Sequence, residues 1–146
     1  MKIPAVVIAA SIGLIRMMCP SVAVSADDKK IDFVTDIQPI FKESCVKCHS
    51  LDPKKPKKHG AGGFQLDDKT AAFKGGKAGS DILPGNSKDS LLVKLLSGPV
   101  TLPDSEEDKE LDPMPKAKKG EKWKPLTADQ IAIIRQWIDQ GANWPD

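Results

Sequence analysis

Five residues, Cys45-Val46-Lys47-Cys48-His49, constrain this chain more than any other stretch of its 146 residues. A disulfide between cysteines three apart would close a tiny loop and add little to stability. The same spacing suits another task. Two thiols three positions apart on a helical turn can add across the two vinyl groups on one side of a porphyrin, and the histidine that follows projects toward the iron. This is the C-x-x-C-H pattern of covalent haem attachment. Three other readings stay open at this level. One is a thioredoxin-like dithiol, which needs a βαβ setting that the flanks do not suggest. The others are a zinc site built from Cys45, Cys48 and His59, for which no fourth ligand is found, and a plain disulfide.

The N-terminus points to export into an oxidising compartment. Residues 1–26 combine an early lysine, an apolar run over residues 3–15 and a small-residue finish at Val24-Ser25-Ala26. That is the pattern of a secretory signal peptide cleaved near Ala26. A mainly apolar run of thirteen residues, followed by Arg16, is too short to span a bilayer comfortably. Stable membrane insertion is therefore not expected, and residues 27–146 are read as one exported, periplasmic domain. Cys19 leaves with the signal, so Cys45 and Cys48 are the only cysteines of the mature chain.

Setting the leader aside changes the composition. Forty of 120 residues are then apolar, and 20 Lys and Arg face 20 Asp and Glu. A formally neutral chain argues against nucleic acid as a partner, because phosphate binding needs a net basic face. One-third apolar content is a thin supply for a small domain with ten prolines and ten glycines. A large apolar macrocycle would make up the shortage.

A haem held by His49 leaves a second axial position to fill, and Met114 is the only methionine after residue 26. It sits between Pro113 and Pro115 in a polar stretch without periodicity. It is therefore not a core gap-filler on an apolar stripe, and the flanking prolines restrict the loop that carries it. Met114 is read as the distal iron ligand. His59, in a lysine-rich stretch ten residues after His49, is the remaining candidate.

Helical periodicity frames these residues. Val34, Ile37, Ile40 and Phe41 predict a helix over residues 33–48 with Thr35 or Asp36 as N-cap and Pro39 in its first turn. At the other end, Thr127 and Gln130 form a capping box, and Leu126 and Ile131 a hydrophobic staple. The face of Ile131, Ile134, Trp137 and Ile138 follows, with Gly141 as terminator. The two terminal helices are expected to pack across each other. Between them, residues 62–66 suggest a short extended piece and residues 69–74 a short helix ended by Gly75-Gly76. Asn86-Ser87 are read as the cap of a helix through residues 91–96 that stops at Ser97-Gly98. Residues 98–125 show no periodicity, and a loop of that length inside a small domain is usually functional.

Charge in that loop is segregated. Asp104, Glu106, Glu107, Asp108, Glu110 and Asp112 precede Met114, whereas Lys116, Lys118, Lys119, Lys122 and Lys124 follow it. Two readings apply: a solvated loop, or a docking surface that steers a transient partner toward an exposed haem edge, to which residues 54–58 could add.

Taken together, Asp36-Ile37-Gln38-Pro39-Ile40-Phe41, Cys45-x-x-Cys48-His49, Gly63-Phe64-Gln65-Leu66, Leu83-Pro84-Gly85-Asn86-Ser87 with Ser90-Leu91-Leu92, Met114-Pro115 and Trp137-Ile138-Asp139-Gln140-Gly141-Ala142 resemble the planctomycete-type cytochrome c domain. The resemblance implies a small all-α cytochrome c-like fold around one covalently held haem c, with a long loop carrying the distal ligand. It assigns Cys45 and Cys48 as thioether sites, His49 as proximal iron ligand and Met114 as distal iron ligand. It also implies one-electron transfer outside the cytoplasm, not substrate transformation, with redox proteins docking transiently and a monomer as the expected state. Lys116 stands where relatives commonly carry a second proline after the methionine. A haem enzyme or gas or redox sensor, with an open or labile distal site, is the alternative from another class. A non-catalytic haem-bearing docking module is a third.

Overall fold

The computed structural model describes residues 29–51, 60–102, 110–117, 120, 122 and 124–146. The expected signal peptide, the lysine-rich stretch 54–58, His59, the acidic positions 104–108 and Lys118 and Lys119 lie outside the described residues.

The chain begins with a cap that differs from the expected one. Asp32, not Thr35 or Asp36, is the N-cap: its carboxylate accepts the Thr35 N–H at 2.9 Å, while Asp36 accepts the Asp32 N–H at 2.9 Å. Phe33–Ile37 then form a π-helical turn that runs into helix α1, Gln38–Ser44. Pro39 accounts for the wider turn. It has no N–H to give to Thr35, and the Gln38 N–H reaches back five residues to Phe33. Helix α1 ends at Ser44, short of the expected 48. A further turn, closed by Cys48 N–H and His49 N–H donating to the Cys45 carbonyl at 3.0 and 2.9 Å, carries the motif.

Helix α2, Lys69–Lys74, has the predicted span and stops at Gly75 as predicted; Asp68 caps it. Residues 61–66 differ from the expectation. Ala61–Gly63 make a 3-10 turn, and only from Phe64 is the backbone extended. Helix α3, Leu91–Ser97, starts after a separate turn in which the Asn86 side chain accepts the Asp89 N–H. All of Leu91, Leu92, Val93, Leu95 and Leu96 are buried. A helix apolar on nearly every side must be covered on more than one, and α3 lies between helix α4 and the cavity described below.

The all-α expectation needs one amendment. Val100–Thr101 (β1) pairs antiparallel with Glu110–Leu111 (β2), with Val100 opposite Leu111. Two residues per strand are too few to leave an alternating pattern in the sequence.

Helix α4, Ala128–Asp139, has the predicted ends. Thr127 and Gln130 form the reciprocal capping box. At the other end the Gly141 and Ala142 N–H groups return to the Ile138 and Trp137 carbonyls, with Gly141 at φ 99°. This is the Schellman arrangement that favours glycine. The terminal helical segments are in contact, chiefly through the π turn. Phe33 and Phe41 meet Trp137 at ring separations of 5.7 and 5.9 Å, and Trp144 stacks on Phe33 at 4.1 Å. Such aromatic pairs add about 0.5–1.5 kcal/mol each beyond burial.

The Leu-Pro-Gly-Asn-Ser and Trp-Ile-Asp segments explain each other. The Gly85 N–H donates to the Ile138 carbonyl at 2.7 Å, and Ser87 gives both its N–H and its hydroxyl to the Asp139 carboxylate at 2.8 and 2.9 Å. These bonds fasten the entry to α3 onto the end of α4. The molecule is a mostly helical small domain.

Candidate functional site

The residues singled out in the sequence converge on one cavity of about 680 Å³. Cys45, Cys48 and His49 line it from the motif turn. Leu91, Leu92, Leu95 and Leu96 line it from α3, and Met114 and Pro115 from the loop after β2. The volume falls within the roughly 300–1,000 Å³ of small-molecule and cofactor sites, and its walls are predominantly apolar.

The two cysteines differ in environment. Cys45 is buried and Cys48 exposed, and no disulfide joins them. Burial, reinforced by the neighbouring Cys48, pushes the Cys45 thiol up to about 12. A free thiolate is thus disfavoured where Cys45 sits, which counts against dithiol exchange. A thioether carries no charge and loses nothing by burial in an apolar wall.

His49 is held by its backbone and its ring. Its carbonyl accepts the Leu66 N–H at 2.7 Å, and the Ala61 N–H donates to the Cys48 carbonyl at 2.9 Å. The ring Nδ1 lies 3.4 Å from the Phe64 carbonyl oxygen, and the Phe64 ring meets the imidazole edge to face at 5.5 Å. A proton on Nδ1 shared with that carbonyl leaves Nε2 bare, the tautomer a metal needs.

This arrangement uses a glycine that carried no signal in the sequence. A methyl group at Gly60 would stand 2.3 Å from the Phe64 oxygen and 3.0 Å from the His49 Cα. Gly60→Ala must therefore displace the carbonyl that orients His49. The expected result is a domain with altered axial-ligand spectra and a lower thermal midpoint. Spectra and melting indistinguishable from the wild type would show that the Phe64 carbonyl does not set the ring.

Met114 is half-buried and packs against the core. Its N–H donates to the Leu95 carbonyl at 2.9 Å, which ties the loop to α3, and the Met114–Pro115 peptide is cis. His59, the other distal candidate, is outside the described residues. Arg135, the one arginine after residue 26, donates to the Ser97 hydroxyl at 2.9 Å and is not among the residues lining the cavity.

Sequence reasoning also missed Asp81. This carboxylate is only 6% exposed, lines the same cavity and accepts the Gly76 N–H at 2.6 Å. An Asp among glycines and serines reads as loop, and only the fold turns it inward.

The helical frame and the cysteine-histidine turn facing an apolar cavity fit a cytochrome c-type domain. Residues 45–103 match the family model described as Planctomycete cytochrome C. The matched span starts at Cys45, includes Leu83-Pro84-Gly85-Asn86-Ser87 and ends before Met114 and α4. No curated protein and no solved structure matches the chain. The family implies covalent haem c, and its members are typically electron carriers, usually outside the cytoplasm. Among the described residues no helix is long and apolar enough to cross a membrane.

Proposed function

We propose that the mature chain, residues 27–146, is a periplasmic one-electron carrier with one haem c joined to Cys45 and Cys48 and its iron held by His49 and Met114. The observation that supports this best is the convergence of these four side chains on one apolar cavity. The donor set is chemically apt: a neutral imidazole with its other nitrogen engaged, and a soft thioether on a loop restrained by Pro113, Pro115 and the Leu95 carbonyl. When bound, the haem supplies an iron that cycles between ferric and ferrous states.

The chain's own residues account for the rest. Met114 fills the distal position and denies it to substrate or oxygen, and thioether sulfur favours the ferrous state more than a second imidazole would. The leucines of α3 keep water from the macrocycle and lower the local dielectric, which stabilises the less charged, reduced centre. Partners dock transiently at the cavity mouth, where Lys77, Glu110, Asp112 and Lys116 present both signs of charge.

A reductive titration under carbon monoxide separates this reading from a haem enzyme or gas sensor. The expected outcome is uptake of one electron per chain, a reversible spectral change and no rapid carbon monoxide adduct. Rapid adduct formation by the wild type would favour an open or labile distal site.

A further inference from the structure

We infer that Asp81 couples the redox state of this site to a proton: its carboxylate takes up one proton from water when the iron gains an electron, and gives it back on oxidation. The inference rests on the haem reading above and goes beyond it, because a carrier needs no ionisable group in its cavity wall.

Three observations carry it. Asp81 is 6% exposed, yet it lines the cavity that holds His49 and Met114. It is fixed in place, since its Oδ2 accepts the Gly76 N–H at 2.6 Å and its backbone carbonyl accepts the Leu92 N–H at 2.9 Å. It also shares the cavity wall with His49, and among the described residues no hydrogen bond joins the two. Among the described residues, the other charged side chains lining the cavity are Lys77, Glu110, Asp112 and Lys116. Of these, Lys116 is paired with Asp112.

Burial holds the Asp81 carboxyl above the usual carboxylate range, against the opposing pull of the Gly76 N–H and of His49. An electron arriving at the centre removes one unit of positive charge facing Asp81. In a low-dielectric wall that change is weakly screened and favours the protonated carboxyl. The balance is one electron from a one-electron donor and one proton from water, both returned on oxidation, with no bond formed or broken at iron.

The sign of the folding linkage favours the variant needed for a test. A carboxyl whose folded value is raised favours the folded state at low pH, and that contribution is lost as pH rises through the raised value. Asp81→Asn removes this penalty and keeps an acceptor for the Gly76 N–H.

The test is a potentiometric titration of the haem-loaded protein across pH, with proton uptake on reduction measured alongside. The wild-type potential should fall as pH rises, in a window above the ordinary carboxylate range and flat on either side. In Asp81→Asn both the slope and the matching proton uptake should vanish while the spectrum is unchanged. A wild-type potential flat with pH, or a slope that survives in Asp81→Asn, overturns the inference and leaves the haem reading standing. Absence of covalent haem overturns both. Should Asp81→Asn fail to fold, redox-difference infrared spectra of wild-type protein decide. A protonated-carboxyl band must appear on reduction and shift when aspartate side-chain carboxyls are isotope-labelled, and a band insensitive to that label overturns the inference.

Discussion

Replacement of both Cys45 and Cys48 by alanine should leave the chain largely unfolded, with most helical circular dichroism lost and no cooperative melt. The physical ground is the cavity. At about 24 cal/mol per Å³, even one-third of its 680 Å³ left void would cost on the order of 5 kcal/mol. That is comparable with the roughly 5–15 kcal/mol that holds a whole domain together. The residues that would have to collapse inward are already committed. Leu92 and Leu96 belong to the core as well as to the cavity wall, and α3 is held to α4 through Ser87, Asp139, Arg135 and Ser97. With 40 apolar residues in the mature 120, little side-chain material remains to refill the space. A ligand that binds only the folded state contributes its binding energy to stability, and covalent attachment makes that contribution permanent. Native-like ellipticity and a sharp melt in the alanine double variant would show that the protein core suffices alone.

The parts of this architecture that sequence reasoning recovered are those built from neighbours in the chain. Thr127 caps Gln130 three residues on, Gly141 closes α4 two residues past its end, and Cys45, Cys48 and His49 share one turn. Each is a local bargain between a backbone group and a nearby side chain. The misreadings have local causes too. Pro39 lies in the first turn of α1 as expected, but the helical segment starts earlier, at an Asp32 cap, through a π turn. What could not be read depends on segments far apart in sequence. The β1–β2 pair needs no periodicity, and Gly60 matters because the Phe64 carbonyl passes beside it. Asp81 faces the cavity because the segment between Gly76 and Leu92 is pinned at both ends.

Met114→Ala should produce the second large effect. With its thioether gone, the ferric protein should lose the weak long-red absorption of sulfur on iron, and the ferrous protein should bind carbon monoxide rapidly. The potential should fall, because water or an adventitious donor replaces the soft sulfur. Folding should survive better than in the cysteine variant. Met114 is only half-buried at the core's edge, and its backbone bond to Leu95 does not depend on the side chain. A truncation of a side chain so placed falls toward the lower part of the roughly 2–5 kcal/mol seen for buried methionine or leucine. Met114→His separates ligand identity from loop structure: it should stay low-spin with a lower potential than the wild type. An unchanged spectrum and potential in Met114→Ala would transfer the distal role to another residue, with His59 next to be replaced.

The central claim is that Cys45 and Cys48 hold a porphyrin by thioether bonds. The mass of the chain purified from a host competent in cytochrome c maturation, measured after acidified-acetone extraction, tests it most directly. The mass should exceed that of the processed polypeptide by one haem, with the added mass confined to the peptide bearing Cys45-Val46-Lys47-Cys48-His49. A chain at its bare polypeptide mass, with both thiols free to react with an alkylating reagent, would contradict the account at its root.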